Sequence, residues 1–150
     1  MINLVLDSGV VGLLSHPNPA LNRRGMDRLF VLTSATVHVN NILLPEIADY
    51  EVRRKLLHLV RKGQASSRSI LQLDELRNLM EFLPIDSEAM RRAAELWAES
   101  RIAGRPTAGD DALDGDVILA AQAEGVDGIV LTDNIKHFEH LAPCQLWTDD

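Results

Sequence analysis

Short apolar runs, each broken off at an acidic or turn-forming residue, constrain this chain more than any other feature. Residues 2–6 run straight into Asp7-Ser8-Gly9, residues 42–44 into Pro45-Glu46, and residues 128–132 into Asp133-Asn134. Runs this short and this apolar suit buried strands rather than helices. Between them the period changes to that of amphipathic helices. Ile47, Val52, Leu56, Leu59 and Val60 mark one apolar stripe, running to Gly63. Ile70, Leu73, Leu76, Leu79 and Met80 mark a second, opened by Ser66 or Ser67. Ala89, Met90, Ala93, Ala94 and Trp97 mark a third, capped by Asp86 or Ser87 and ending near Gly104. Strands alternating with helices predict one α/β domain over 1–150, a central, mainly parallel β-sheet with helices on both faces.

The finer expectations follow from caps and breakers. A short helix over 10–14 is capped by Asp7 or Ser8 and stopped by Pro17 and Pro19. Residues 22–32 read as helical and 36–39 as extended. Pro45 fits the first turn of the helix that follows it. Residues 82–85 form a short strand, and 104–114 a polar loop containing Asp110 and Asp111. Asp114 is a natural N-cap for a helix starting at Gly115, with Asp116 in its first turn. The all-apolar stretch 117–121 then makes that helix a buried one, closed by Gly125. Residues 145–147 are a weak last strand.

The acids fall at telling places. Asp7 and the Asp133–Asn134 pair end strands, while Glu46 and Asp116 open helices. In an open parallel sheet these positions share the rim beyond the carboxyl ends of the strands, where ligands bind. Carboxylates crowded on one rim repel each other, and a divalent cation resolves the conflict. An oxygen-only set selects Mg²⁺ or Mn²⁺ over zinc, and such ions serve phosphodiester chemistry. Taken singly, each acid has a structural explanation: Asp7 as a turn cap, Glu46 as a favourable charge at a helix start, Asp114 as an N-cap. Asp116, set against apolar neighbours, is the hardest to explain that way.

Charge supports a polyanionic partner only locally. The net charge of −7 disfavours one, yet Arg53, Arg54, Lys55, Arg61, Lys62, Arg68 and Arg77 crowd one stretch against Asp74 and Glu75. These basic residues suit a phosphate backbone, or equally well surface ion pairs. The single cysteine, Cys144, excludes an intramolecular disulfide and points to a reducing, cytoplasmic setting. No segment has the length and apolarity of a membrane span or the pattern of a signal sequence, so no membrane role is expected.

Four segments carry a family resemblance: Leu6-Asp7-Ser8-Gly9, the stretch from Pro45-Glu46-Ile47 through Asp49-Tyr50-Glu51-Val52-Arg53 to Leu56, Leu113-Asp114-Gly115-Asp116-Val117 continuing to Ala121, and Leu131-Thr132-Asp133-Asn134-Ile135-Lys136-His137-Phe138. In order and spacing the chain resembles PIN-domain ribonucleases, specifically the VapC-like toxins of type II toxin–antitoxin pairs. The resemblance implies a PIN-like three-layer sandwich and an Mg²⁺-dependent (alternatively Mn²⁺-dependent) endoribonuclease. Asp7 and Asp116 would be its metal ligands, with Glu46 and Asn134 completing the catalytic set. Asn134 stands where many relatives carry Asp. Asp114, Thr132 and Asp133 would orient the ligands from behind. The resemblance also implies an RNA substrate, a cognate antitoxin and a homodimer. The alternative is a non-catalytic PIN-like module that binds RNA or a protein.

Overall fold

Strand and helix alternate along the whole chain: β1 (Ile2–Leu6), α1 (Ser8–Leu14), α2 (Pro19–Thr33), β2 (Asn40–Pro45), α3 (Glu46–Arg61), α4 (Arg68–Leu79), β3 (Glu81–Leu83), α5 (Ser87–Ala103), α6 (Asp110–Gly125), β4 (Ile129–Thr132), α7 (Ile135–Phe138) and β5 (Cys144–Leu146). The computed structural model describes residues 1–34, 40–104 and 110–148, with the backbone alone for 110–112. The extended segment expected over 36–39 lies outside these residues, as does 105–109 of the expected polar loop.

The strands form one sheet in the order β3-β2-β1-β4-β5, and every pairing is parallel. β1 is central because its last three residues, Leu4, Val5 and Leu6, are buried from both sides. Right-handed crossovers carry β1→β2→β3 over one face and β3→β4→β5 over the other. Helices α1 to α4 therefore cover one side of the sheet, and α5, α6 and α7 the other. The chain reverses its direction of travel across the sheet between β1 and β4, the switch point where a crevice opens at the strand ends.

Gly128 makes that central pairing close. A Cβ there would stand 2.9 Å from Val5 Cγ2 and 3.2 Å from the Asn3 carbonyl oxygen. The core is aliphatic on both sides of the sheet, with Trp147 and Phe138 among its largest fully buried side chains. Two boundaries differ from the sequence expectation. Pro45 ends β2 with extended φ and ψ instead of entering the first turn of α3. Helix α6 begins at Asp110, so Asp114 lies inside it and caps nothing, and Asp110 and Asp111 are helical. Asp116 is consequently in the second turn. Among the described residues no helix is long and apolar enough to cross a membrane.

Candidate active site

Asp7 is fixed at the switch point from three directions, by β4, by α1 and by Thr132. Its N–H donates to the Leu131 carbonyl at 3.0 Å, tying the end of β1 to the end of β4. Its Oδ1 accepts from Ser8 N at 2.7 Å, capping α1, and its Oδ2 accepts from Thr132 Oγ1 at 2.7 Å. Thr132 is fully buried, and its hydroxyl also accepts from Asn134 N at 2.9 Å. One hydroxyl thus joins the β1 carboxylate to the start of the loop after β4.

Helix α6 brings Asp116 to the same place. Its Oδ2 is buried and has no hydrogen-bond partner. Burial first, and then the charges of Asp7 and Glu51, push its carboxyl up to about 7. The neighbour from α3 is thus Glu51, itself raised by burial and by Asp7 against the opposing pull of Arg54. A Cβ on Gly115 would meet Glu51 Oε2 at 2.7 Å and Oε1 at 2.8 Å. The carboxylate of Glu51 therefore lies against bare backbone beside Asp116, in a space that only glycine leaves open.

His137 completes the group from α7. Its Nδ1 stands 3.2 Å from Asp116 Oδ2, without the alignment of a hydrogen bond. Its neighbour Phe138 is buried and anchors the short helix.

A crevice at a parallel-sheet switch point, lined by carboxylates from three separate elements, has parallels among known proteins. A family model described as PIN domain matches residues 13–142. The chain belongs to the PIN domain family. No curated protein matches it. Among solved structures, VapBC-1 from nontypeable Haemophilus influenzae is similar at 16% identity with a TM-score of 0.73, covering 99% of this chain and 100% of that one. VapBC2 from Rickettsia felis, bound to a DNA fragment from its promoter, is similar at 18% identity and a TM-score of 0.71, covering 98% and 100%. FitAcB from Neisseria gonorrhoeae follows at 19% and 0.65, covering 94% and 95%.

Within this PIN domain the site residues read from the sequence separate into two groups. Asp7, Asp116 and Thr132 come together. Glu46 does not join them: its Oε1 accepts from Ile85 N at 2.8 Å, tying the start of α3 to the turn after β3. The α3 acid beside Asp7 and Asp116 is Glu51, five residues further and about 140° around the helix. A signal for it was present. Glu51 follows the buried Ile47 by four positions and precedes the buried Val52, which places an acid on the flank of the apolar stripe. Asp114 is exposed and borders a groove between α5 and α6 with Met90, Trp97 and Val117, so it does not support Asp116. Asp133 and Asn134 are both exposed, and Asn134 contributes its backbone N–H.

The basic stretch divides likewise. Arg53 is committed to ion pairs with Asp49 at 2.9 Å and Asp74 at 2.8 Å, joining α3 to α4. Arg77 lies over the Phe82 ring at 3.9 Å. Arg54 stays near the site, 3.9 Å from Glu51 Oε2 and over the exposed Tyr50 ring at 5.1 Å. Together with Lys55, His58 and His16 it lines a groove of about 860 Å³ between α1 and α3, which begins at Ser8 and Glu51.

Among the described residues, no three His, Cys, Asp or Glu side chains close on a single point as a metal ion requires. The donor set nonetheless fits a divalent cation. Asp116 Oδ2 is a buried oxygen without a donor, and the Gly115 cradle holds a second carboxylate beside it.

Proposed function

We propose that this PIN domain is a metal-dependent endoribonuclease of the VapC-like toxin kind, restrained by a cognate antitoxin. The observation that carries the reading is the buried Asp116 Oδ2, without a hydrogen-bond partner, beside the charges of Asp7 and Glu51 at the switch point. Asp7 and Asp116 are the proposed ligands of Mg²⁺ or Mn²⁺. The chemistry a bound divalent ion supplies is stabilisation of charge on the phosphodiester oxygens and activation of the attacking water. Thr132 holds Asp7 in register from behind. Glu51, with its raised proton affinity, would orient the water and take its proton as the water oxygen bonds to phosphorus, while the P–O bond to the leaving oxygen breaks and that oxygen takes a proton from solvent. Arg54 and Lys55 along the adjoining groove suit a phosphate backbone.

The same groove suits the antitoxin. A basic side chain from a partner segment seated between α1 and α3 would reach Glu51 at its end and neutralise the acids in place of a cation. The VapBC and FitAcB likenesses support such a partner, and a homodimer is part of the same reading. The chain would act in the cytoplasm, where its substrate is.

Cleavage of a mixed single-stranded RNA with Mg²⁺, Mn²⁺ or EDTA tests the proposal. Metal-dependent cutting should be lost in Asp116→Asn and Glu51→Gln and kept in Glu46→Gln, whose amide oxygen still accepts from Ile85 N. A wild type that binds RNA or a partner and cuts with neither metal would favour the non-catalytic module, to which the exposed Asn134 lends support.

A further inference from the structure

We propose that His137 is a metal-site donor, an imidazole nitrogen standing where the sequence suggested Asn134. The inference rests on the reading of Asp7 and Asp116 as metal ligands and goes beyond it, because it changes which ion the site selects. Its starting point is the contact between His137 Nδ1 and Asp116 Oδ2 at 3.2 Å. Neither atom serves the other as donor or acceptor, and Asp116 Oδ2 has no other partner. Two donors bound at about 2.1 Å and at right angles to one octahedral ion stand about 3 Å apart. The pair thus has the spacing of neighbouring ligands.

The histidine is also held as a ligand must be. Helix α7 starts directly after β4, and its entry is pinned where Asn134 N donates to Thr132 Oγ1, the same hydroxyl that holds Asp7. Phe138, 1% exposed, fixes the far side of the helix in the core. The His137 side chain itself is one-third exposed, so its ring opens to the crevice mouth as well as to Asp116. Asn134, by contrast, is exposed and gives the site only its backbone N–H. With the ring proton on Nε2, Nδ1 presents a lone pair to an ion shared with Asp116, and Asp7 and Glu51, whose charges Asp116 feels, would have to draw in to complete its shell. A nitrogen donor favours Mn²⁺ and later transition ions over Mg²⁺, which takes oxygen ligands.

The test is Mn²⁺ added to the purified full chain, read by pulsed electron paramagnetic resonance for ¹⁴N coupling and by calorimetry for affinity. Wild type should show histidine nitrogen coupled to the bound Mn²⁺. His137→Gln should lose that coupling and bind Mn²⁺ about tenfold more weakly, with Mg²⁺ affinity changed less than about threefold. Bound Mn²⁺ with no nitrogen coupling in wild type, or coupling that persists in His137→Gln, overturns the role of His137 and leaves the acid site standing. Failure of wild type to bind Mn²⁺, or binding that Asp116→Asn leaves intact, sinks the acid-site reading and this proposal with it. The wild-type spectrum needs no variant to fold, so the question is decided whatever the stability of His137→Gln.

Discussion

A single carboxyl, that of Asp116, sets the electrostatic character of the site. It titrates at about 7 in the folded chain against 3.8 for an ordinary Asp. A folded value raised in this way means that the folded chain binds the proton more tightly than the unfolded one. The stability it contributes is complete below 3.8 and is lost as pH rises through about 7. In EDTA the unfolding free energy should therefore fall across that window by on the order of a few kcal/mol, and Asp116→Asn should flatten the profile. Denaturant melts at a series of pH values check this. A second prediction concerns Gly115. Alanine there drives a Cβ into Glu51, whose carboxylate is the free end of a flexible side chain and can swing away. Gly115→Ala should thus leave stability unchanged or raise it by up to about 1 kcal/mol through helix propensity. RNA cleavage should meanwhile fall by about tenfold or more. Equal loss of both would show that Gly115 serves packing alone.

Helix α3 does most to build the crevice, and it also shows where sequence reading stops. Its apolar stripe was plain from Ile47, Val52 and Leu56, all of them buried. Which of its acids faces the site was not, because Glu46 and Glu51 differ by rotation about an axis that only the packing of α3 against the sheet fixes. The start of α6 was hidden for a related reason. Asp114 has the chemistry of an N-cap, yet the helix runs back to Asp110, and local preference yields to the longer element. Arg53, for which the sequence left a polyanion contact and ion pairs equally open, is a clip between α3 and α4. Asp49 keeps only 12% of its side chain exposed, while Asp74 keeps 51%. Arg53→Met should cost about 1–3 kcal/mol, since it strands a buried carboxylate. Asp74→Asn should cost less than about 1 kcal/mol. Urea midpoints of the two variants compare them directly.

At the scale of the whole molecule, the sequence disclosed the alternation of strand and helix because each apolar run ended at a turn residue. The strand order was not legible. That β4 pairs with β1, and thereby sets Thr132 against Asp7, depends on contacts between opposite ends of the chain, which periodicity does not record. The candidate site is correspondingly a cross-brace between β1, α3, α6 and α7, and an ion held there should stabilise the entire fold. At a hundredfold excess over its dissociation constant, Mg²⁺ or Mn²⁺ should add about 2.7 kcal/mol, a shift of several degrees in Tm. Asp116→Asn should abolish that shift in a thermal melt. The bond from Thr132 to Asp7 spans 125 positions of sequence. A chain still being translated has made Asp7 and Glu51 long before β4 exists to hold the first of them. The ribosome therefore makes most of this chain before the proposed site can assemble, and the crevice takes shape only once its late strands join the first one.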